Sequence, residues 1–186
     1  MIRAISTNFF TGSLVCLLLL PIGNATADEP KLNRNARIGL GFQALTGTRP
    51  FDSDARLGAS LSGVYEFALT PRFLIGLQLA GRYFPATHPI RALGYGVLLR
   101  HAFLDPDSLF RPTLSYGLLF QIVDLPGQKG SGTAHDTRLA VGVDSKALGL
   151  PLFFELAFHI SHLRYFALPA TDLSRVEFLL GTFFSW

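Results

Sequence analysis

The tripeptide His159-Ile160-Ser161 is where residue types and spacing come nearest to covalent chemistry in this sequence. Two positions apart on an extended strand, an imidazole and a hydroxyl share one face, within reach of a serine–histidine arrangement. A three-residue match is a weak motif, and a satisfied interior pair is the alternative. The other histidines offer less, because His88 and His135 fall in segments read as loops, without a metal-ligand spacing. No glycine loop follows a strand and opens a helix, as a phosphate cradle would require. Neither a metal nor a cofactor is expected.

A second group of residues is charged and recurs singly. Arg56, Glu66, Arg82, Arg100, Arg138, Asp144, Lys146, Glu155, Arg175 and Glu177 each fall on the polar face of an alternating stretch. Both signs are present, so in a narrow interior they can pair where a lone charge would be costly. The chain carries 16 Lys and Arg against 13 Asp and Glu, a formal charge of +3. With the arginines dispersed rather than clustered, no nucleic-acid footprint is indicated.

The elements that would position these residues are strands. Residues 173–186 alternate Val176, Phe178, Leu180, Phe184 and Trp186 against Arg175, Glu177, Gly181 and Ser185. An apolar face opposite a face with charges, glycine and serine describes a transmembrane β-strand, lipid on one side and a polar lumen on the other. The same period runs through 37–45, 55–69, 73–84, 90–104, 113–125, 137–148 and 152–165, which makes eight strands. Turn chemistry separates them: Thr70-Pro71-Arg72, Asp105-Pro106-Asp107-Ser108 and Gly149-Leu150-Pro151. Residues 126–136 are Gly-rich and polar and read as the longest connection. Connections after odd strands are mostly longer than those after even strands, as outer loops and periplasmic turns are. The fold class expected is all-β, an eight-stranded antiparallel up-and-down transmembrane β-barrel, closed because an open sheet edge in lipid leaves backbone groups unpaired.

A soluble lipocalin-like or avidin-like barrel also alternates, with its apolar residues inside. Alternation alone leaves the inward face open. Three features favour lipid outside: apolar faces nearly free of charge over many strands, opposite faces rich in Gly and Ser with lone charges, and a chain ending Phe184-Ser185-Trp186. Tyr65, Tyr83, Tyr95, Phe103 and Trp186 then read as interfacial anchors.

The N-terminus has the parts of a secretory signal: Arg3, an apolar centre at 14–20, and the small-residue site Ala25-Thr26-Ala27. The apolar centre is about half the 20 residues that a helical span needs. The division expected is a signal peptide at 1–27, a short periplasmic leader at 28–35 and the barrel at 36–186. Cys16, the single cysteine, goes with the signal, leaving no disulfide.

The ending Gly181-Thr182-Phe183-Phe184-Ser185-Trp186 resembles the C-terminal β-signal of Gram-negative outer-membrane proteins: a glycine, two residues, an aromatic, one residue and a terminal aromatic. Leu179 stands where that pattern usually has a polar residue. The whole mature chain is similar to small eight-stranded barrels of the OmpA/OmpX or outer membrane protein beta-barrel domain type. The resemblance implies a monomer in the outer membrane, surrounded by lipid and lipopolysaccharide. It also implies that Gly181, Phe184 and Trp186 present the last strand to the barrel-assembly machinery. A narrower resemblance is to the lipid A deacylase family of eight-stranded barrels, which carries a His-x-Ser-Asn motif near its C-terminus. It implies Ser161 as nucleophile, His159 as base and Glu177 as orienting acid. His162 stands in the asparagine position, and the glycine and asparagine that follow in the family are absent. Alternation also turns His159 and Ser161 away from the lipid. The expectation is a non-enzymatic barrel with a structural or surface role and a lumen filled by side chains; the acyl-ester hydrolase is the alternative.

Overall fold

The computed structural model describes residues 34–46, 56–87, 89–124, 131–165 and 168–185. The proposed signal peptide, most of the leader, residues 126–130 of the longest connection, His88 and Trp186 lie outside them. In chain order the strands are β1 (Arg34–Leu45), β2 (Leu57–Ala68), β3 (Phe73–Phe84), β4 (Ile90–Ala102), β5 (Phe110–Asp124), β6 (Ser131–Ser145), β7 (Leu152–Tyr165), β8 (Leu168–Asp172) and β9 (Arg175–Ser185). Each neighbour from β1 to β7 is antiparallel to the next, β7 also pairs with β9, and β9 pairs with β1. Eight strands therefore close a barrel. The short β8 folds back on the end of β7 as a hairpin arm.

The side-chain period decides which face is which. In β5, burial alternates through all 15 residues: Leu118 on one face is 54% exposed while Gln121 on the other is 2% exposed. Leu77, Phe178 and Phe158 are likewise exposed, and Arg82, Arg138 and Glu177 are buried. The wall is apolar outside and polar inside, the reverse of a soluble ligand-binding barrel. His101 sits on the outer face near the end of β4, stacked on Phe73 at 4.4 Å between ring centroids.

Two expected boundaries move. β6 begins at Ser131, not at residue 137: Gly132, Ala134 and Asp136 are buried and Thr133 and His135 exposed, in register with β5 from Asp124 to Leu118. The polar composition of 131–136 reads as loop, but its period two continues that of Arg138. His135 is thus a strand residue, its ring 4.8 Å from that of Phe120. β5 begins at Phe110 and runs through Pro112. Phe103 donates to the Pro112 carbonyl at 3.0 Å, and Pro112 has no N–H to return the bond, so the β4–β5 ladder ends there. Residues 168–172, between the expected strands 152–165 and 173–186, form β8.

The lumen is layered. At the end carrying the connections after odd strands, Phe84, Ile90, Ala92, Val123, Ala134 and Leu173 form an apolar plug. Charged side chains fill the middle. Toward the opposite end Phe153 lies against Gly39 and Gly181, register partners on β1 and β9. A Cβ on Gly181 would come 2.1 Å from the Ile38 carbonyl oxygen and 2.6 Å from the Phe153 ring, so only glycine admits the aromatic here.

Candidate functional site

The inward positions of β6, β7 and β9 bring a polar cluster together under the apolar plug. His159 stands opposite Arg138 on β6 and Arg175 on β9, which makes Asp136 and Glu177 its diagonal neighbours on the two flanking strands. Diagonal pairs lie within reach of long side chains. The imidazole accordingly spans both carboxylates: Nε2 is 2.9 Å from Glu177 Oε2, and Nδ1 is 3.0 Å from Asp136 Oδ2. Arg175 Nη2 donates to Asp136 Oδ2 at 2.5 Å and is 3.0 Å from His159 Nδ1. Glu177 Oε1 accepts from Ser60 Oγ at 2.5 Å and Gln43 Nε2 at 2.6 Å. Gly41 leaves the room for this, since a Cβ there would lie 2.3 Å from Ser60 Oγ and 3.2 Å from Glu177 Oε1. Arg82, fully buried, reaches Asp136 at 3.8 Å.

Ser161 is on the same face as His159 but in different company. Successive same-face residues on a strand are about 6.6 Å apart, so the hydroxyl and imidazole meet only if the ring tips along the strand. Both ring nitrogens are instead held sideways. Ser161 Oγ accepts from Gln121 Nε2 at 3.2 Å, and Ser161 and His159 are 0% and 2% exposed. Glu177 does touch His159, so two members of the expected triad are joined and the nucleophile is not. The cluster is arranged to hold charge, and Ser161 is fully buried beside it.

A second network runs toward the turn end. Asp144 accepts from Arg37 at 2.7 Å and from Arg100 at 2.6 Å, and Arg100 also reaches Glu66 at 2.5 Å. Arg138 pairs with Glu155 and donates to Ser115 Oγ at 2.8 Å. Arg37 also lies over the Phe153 ring, 4.1 Å from its centroid. Arg82 and Arg175 face Asp136 and Glu177 in the upper group. Arg37, Arg100 and Arg138 face Glu66, Asp144 and Glu155 in the lower. Leaving His159 aside, two arginines thus face two carboxylates in the upper group and three face three in the lower.

Of the expected interior residues, Glu66, Arg82, Arg100, Arg138, Asp144, Glu155, Arg175 and Glu177 are in these networks. Arg56 is not: it precedes β2 and is exposed, correct in parity but beyond the barrel's edge. Lys146 is also outside the lumen's interior, exposed and donating to the Pro106 carbonyl at 2.8 Å. Alternation alone missed Arg37, Asp136 and Arg111. Arg37 and Arg111 have the parity of Gly39 and Thr113, and Asp136 that of Arg138. Of the assembly-signal positions, Gly181 packs beneath Phe153 and Phe184 is exposed on the outer face. Among the described residues no group of three or more His, Cys, Asp or Glu could hold a metal.

No family model matches this sequence, and no curated protein is similar to it. Solved structures do share its fold. The outer membrane protein OprG from Pseudomonas aeruginosa superposes with a TM-score of 0.58 at 12% identity, over 83% of this chain and 96% of that one. Neisserial surface protein A gives 0.56 at 10% identity, over 83% and 97%. The outer membrane enzyme PagL gives 0.55 at 9% identity, over 79% and 97%. The chain thus has the fold of the small eight-stranded outer-membrane β-barrels, a closed antiparallel wall.

Proposed function

We propose that the protein is an integral outer-membrane barrel with a structural or surface role, not an enzyme, and that its lumen does not conduct. The observation that carries this reading is the closure of the lumen: ten mutually compensating buried charges beneath an apolar plug. An eight-stranded barrel has an interior just wide enough for side chains to fill. The exposed apolar belt of Leu77, Leu118, Phe158 and Phe178 fits lipid, and a belt of that extent would not persist in water. In this reading the chain is exported with its signal peptide removed, is assembled as a monomer through Gly181, Phe184 and Trp186, and faces lipid and lipopolysaccharide.

Planar-bilayer recording of the purified barrel tests the closed lumen. At most weak, unstable conductance is expected, and large stable steps would overturn it. The fold is shared with an outer membrane enzyme, so fold alone does not decide against catalysis. The side-chain geometry supports the non-catalytic reading: His159 lies between two carboxylates and Ser161 accepts from Gln121. Incubation with lipid A is expected to release no acyl chain. Release that disappears in Ser161→Ala would establish the hydrolase instead.

A further inference from the structure

At the turn end the lumen is not filled. A cavity of about 290 Å³ opens there, walled by Asn35, Arg100, Arg111, Asp144, Lys146 and Phe183 among others. Asp144 is the direct register partner of Arg111 across β5 and β6, on the same inward face. Yet Asp144 is occupied by Arg37 and Arg100, and the nearby Glu66 is occupied by Arg100. Arg111 turns away: Nε donates to the Leu104 carbonyl at 2.9 Å and Nη2 to the Pro71 carbonyl, so it ties the β2–β3 and β4–β5 turns together. Its Nη1 is used by neither bond. Among the described residues no carboxylate pairs with Arg111, which is 8% exposed, or with Lys146, which bonds only the Pro106 carbonyl. Asp107 is the one further acid on the wall. Among the described residues of the wall, Arg100, Arg111 and Lys146 thus face Asp144 and Asp107, and the surplus positive charge sits where the cavity meets solvent.

We infer that this cup is a binding site for a small soluble oxyanion, a phosphate or polycarboxylate, held by Arg111 and Lys146. A guanidinium presents a planar fork of donors that matches either group, and a partly enclosed site strengthens each bond. The volume lies at the lower bound of ligand pockets, which restricts the ligand to a small molecule. The side of the membrane the cup faces rests on the proposed function. Its chemistry does not.

The test is titration of inorganic phosphate and of citrate into the full barrel in a non-ionic detergent, read by calorimetry. Saturable binding is expected, with dissociation constants on the order of 1 mM or below. Arg111→Gln should weaken it about tenfold, as loss of a charge-assisted bond does, and Lys146→Gln several-fold. Arg72→Gln, an exposed control paired with Asp105, should leave it unchanged. Arg111 also holds two turns, so its variant is checked for heat-modifiable migration, and Lys146→Gln decides if Arg111→Gln does not fold. Absence of saturable binding, or affinity unchanged in Lys146→Gln and in any folded Arg111→Gln, would overturn the site. Competition from phosphatidylglycerol in nanodiscs would assign the anion to a lipid headgroup and overturn the soluble ligand. Neither result would reopen the question of conductance, which the bilayer recording answers separately.

Discussion

The two ends of the lumen are built from the same alternating strands and the same residue types, yet one is shut and the other open. Under the apolar plug, Glu177 and Asp136 are fully buried and receive from Gln43, Ser60, His159 and Arg175, with Arg82 beside them. At the turn end, Asp144 is shared by Arg37 and Arg100, Glu66 is held by Arg100, and Asp144 and Arg100 border a cavity. The difference lies in what caps each charge layer. Phe84, Ile90 and Val123 exclude water above the first, while polar turns leave water access to the second. A buried charge that loses its partner costs what water would have supplied, so the same type of substitution should cost unequal amounts at the two ends.

Glu177→Ala should produce the largest loss. It leaves Arg82 and Arg175 with Asp136 alone and strands the Ser60 and Gln43 donors, so about 3–5 kcal/mol is expected from urea unfolding of the barrel in lipid vesicles. Adding Arg82→Met should recover part of that, because one buried charge of each sign is then removed from the upper group and its balance is restored. A double variant as unstable as the sum of its parts would mean that the upper group is not coupled. Asp144→Asn should cost less, about 1–3 kcal/mol, although it unpairs Arg37 and weakens Arg100, because Arg100 keeps Glu66 and borders the cavity, and Arg37 keeps its place over the Phe153 ring. A loss equal to that of Glu177→Ala would erase the contrast between the ends.

The wall was more legible in the sequence than the lumen. Strict alternation in β7 and β9 assigns Phe154, Phe158 and Phe178 outward and Glu155, His159 and Glu177 inward, because one residue of slip would exchange every face. Composition and period disagree at the start of β6. Ser131 to Asp136 is made of small and polar residues, the composition of a loop, yet it is held as strand by partners on both β5 and β7. Asp136 lies in that segment, and with it the carboxylate 3.0 Å from His159 Nδ1. The sequence spacing of His159 and Ser161 along one strand is real, but partners across β6, β7 and β9 depend on register, which one chain's period does not contain. Arg56 fails for a related reason: parity gives the face, and only the strand's end gives the depth.

The smallest effect is expected at the rim. Arg72 and Asp105 form an ion pair at 3.1 Å at the turn end, with side chains 52% and 68% exposed. Water and salt already screen such a pair, and the backbone here does not depend on it. The Arg72 amide donates to Thr70 Oγ1 at 3.3 Å, and its carbonyl accepts from the Ala102 amide at 2.8 Å; both survive truncation of the side chain. Arg72→Ala should therefore cost less than about 1 kcal/mol in the same unfolding assay, and less still at high salt. Arg111 stands near the same turn and would be expected to behave alike if proximity to the rim were all that mattered. It is instead buried and bonded to the carbonyls of Pro71 and Leu104, so Arg111→Ala should exceed Arg72→Ala. Equal losses would mean that solvent reaches Arg111 as freely as Arg72, and the open end of the lumen would then begin deeper, at the layer of Asp144.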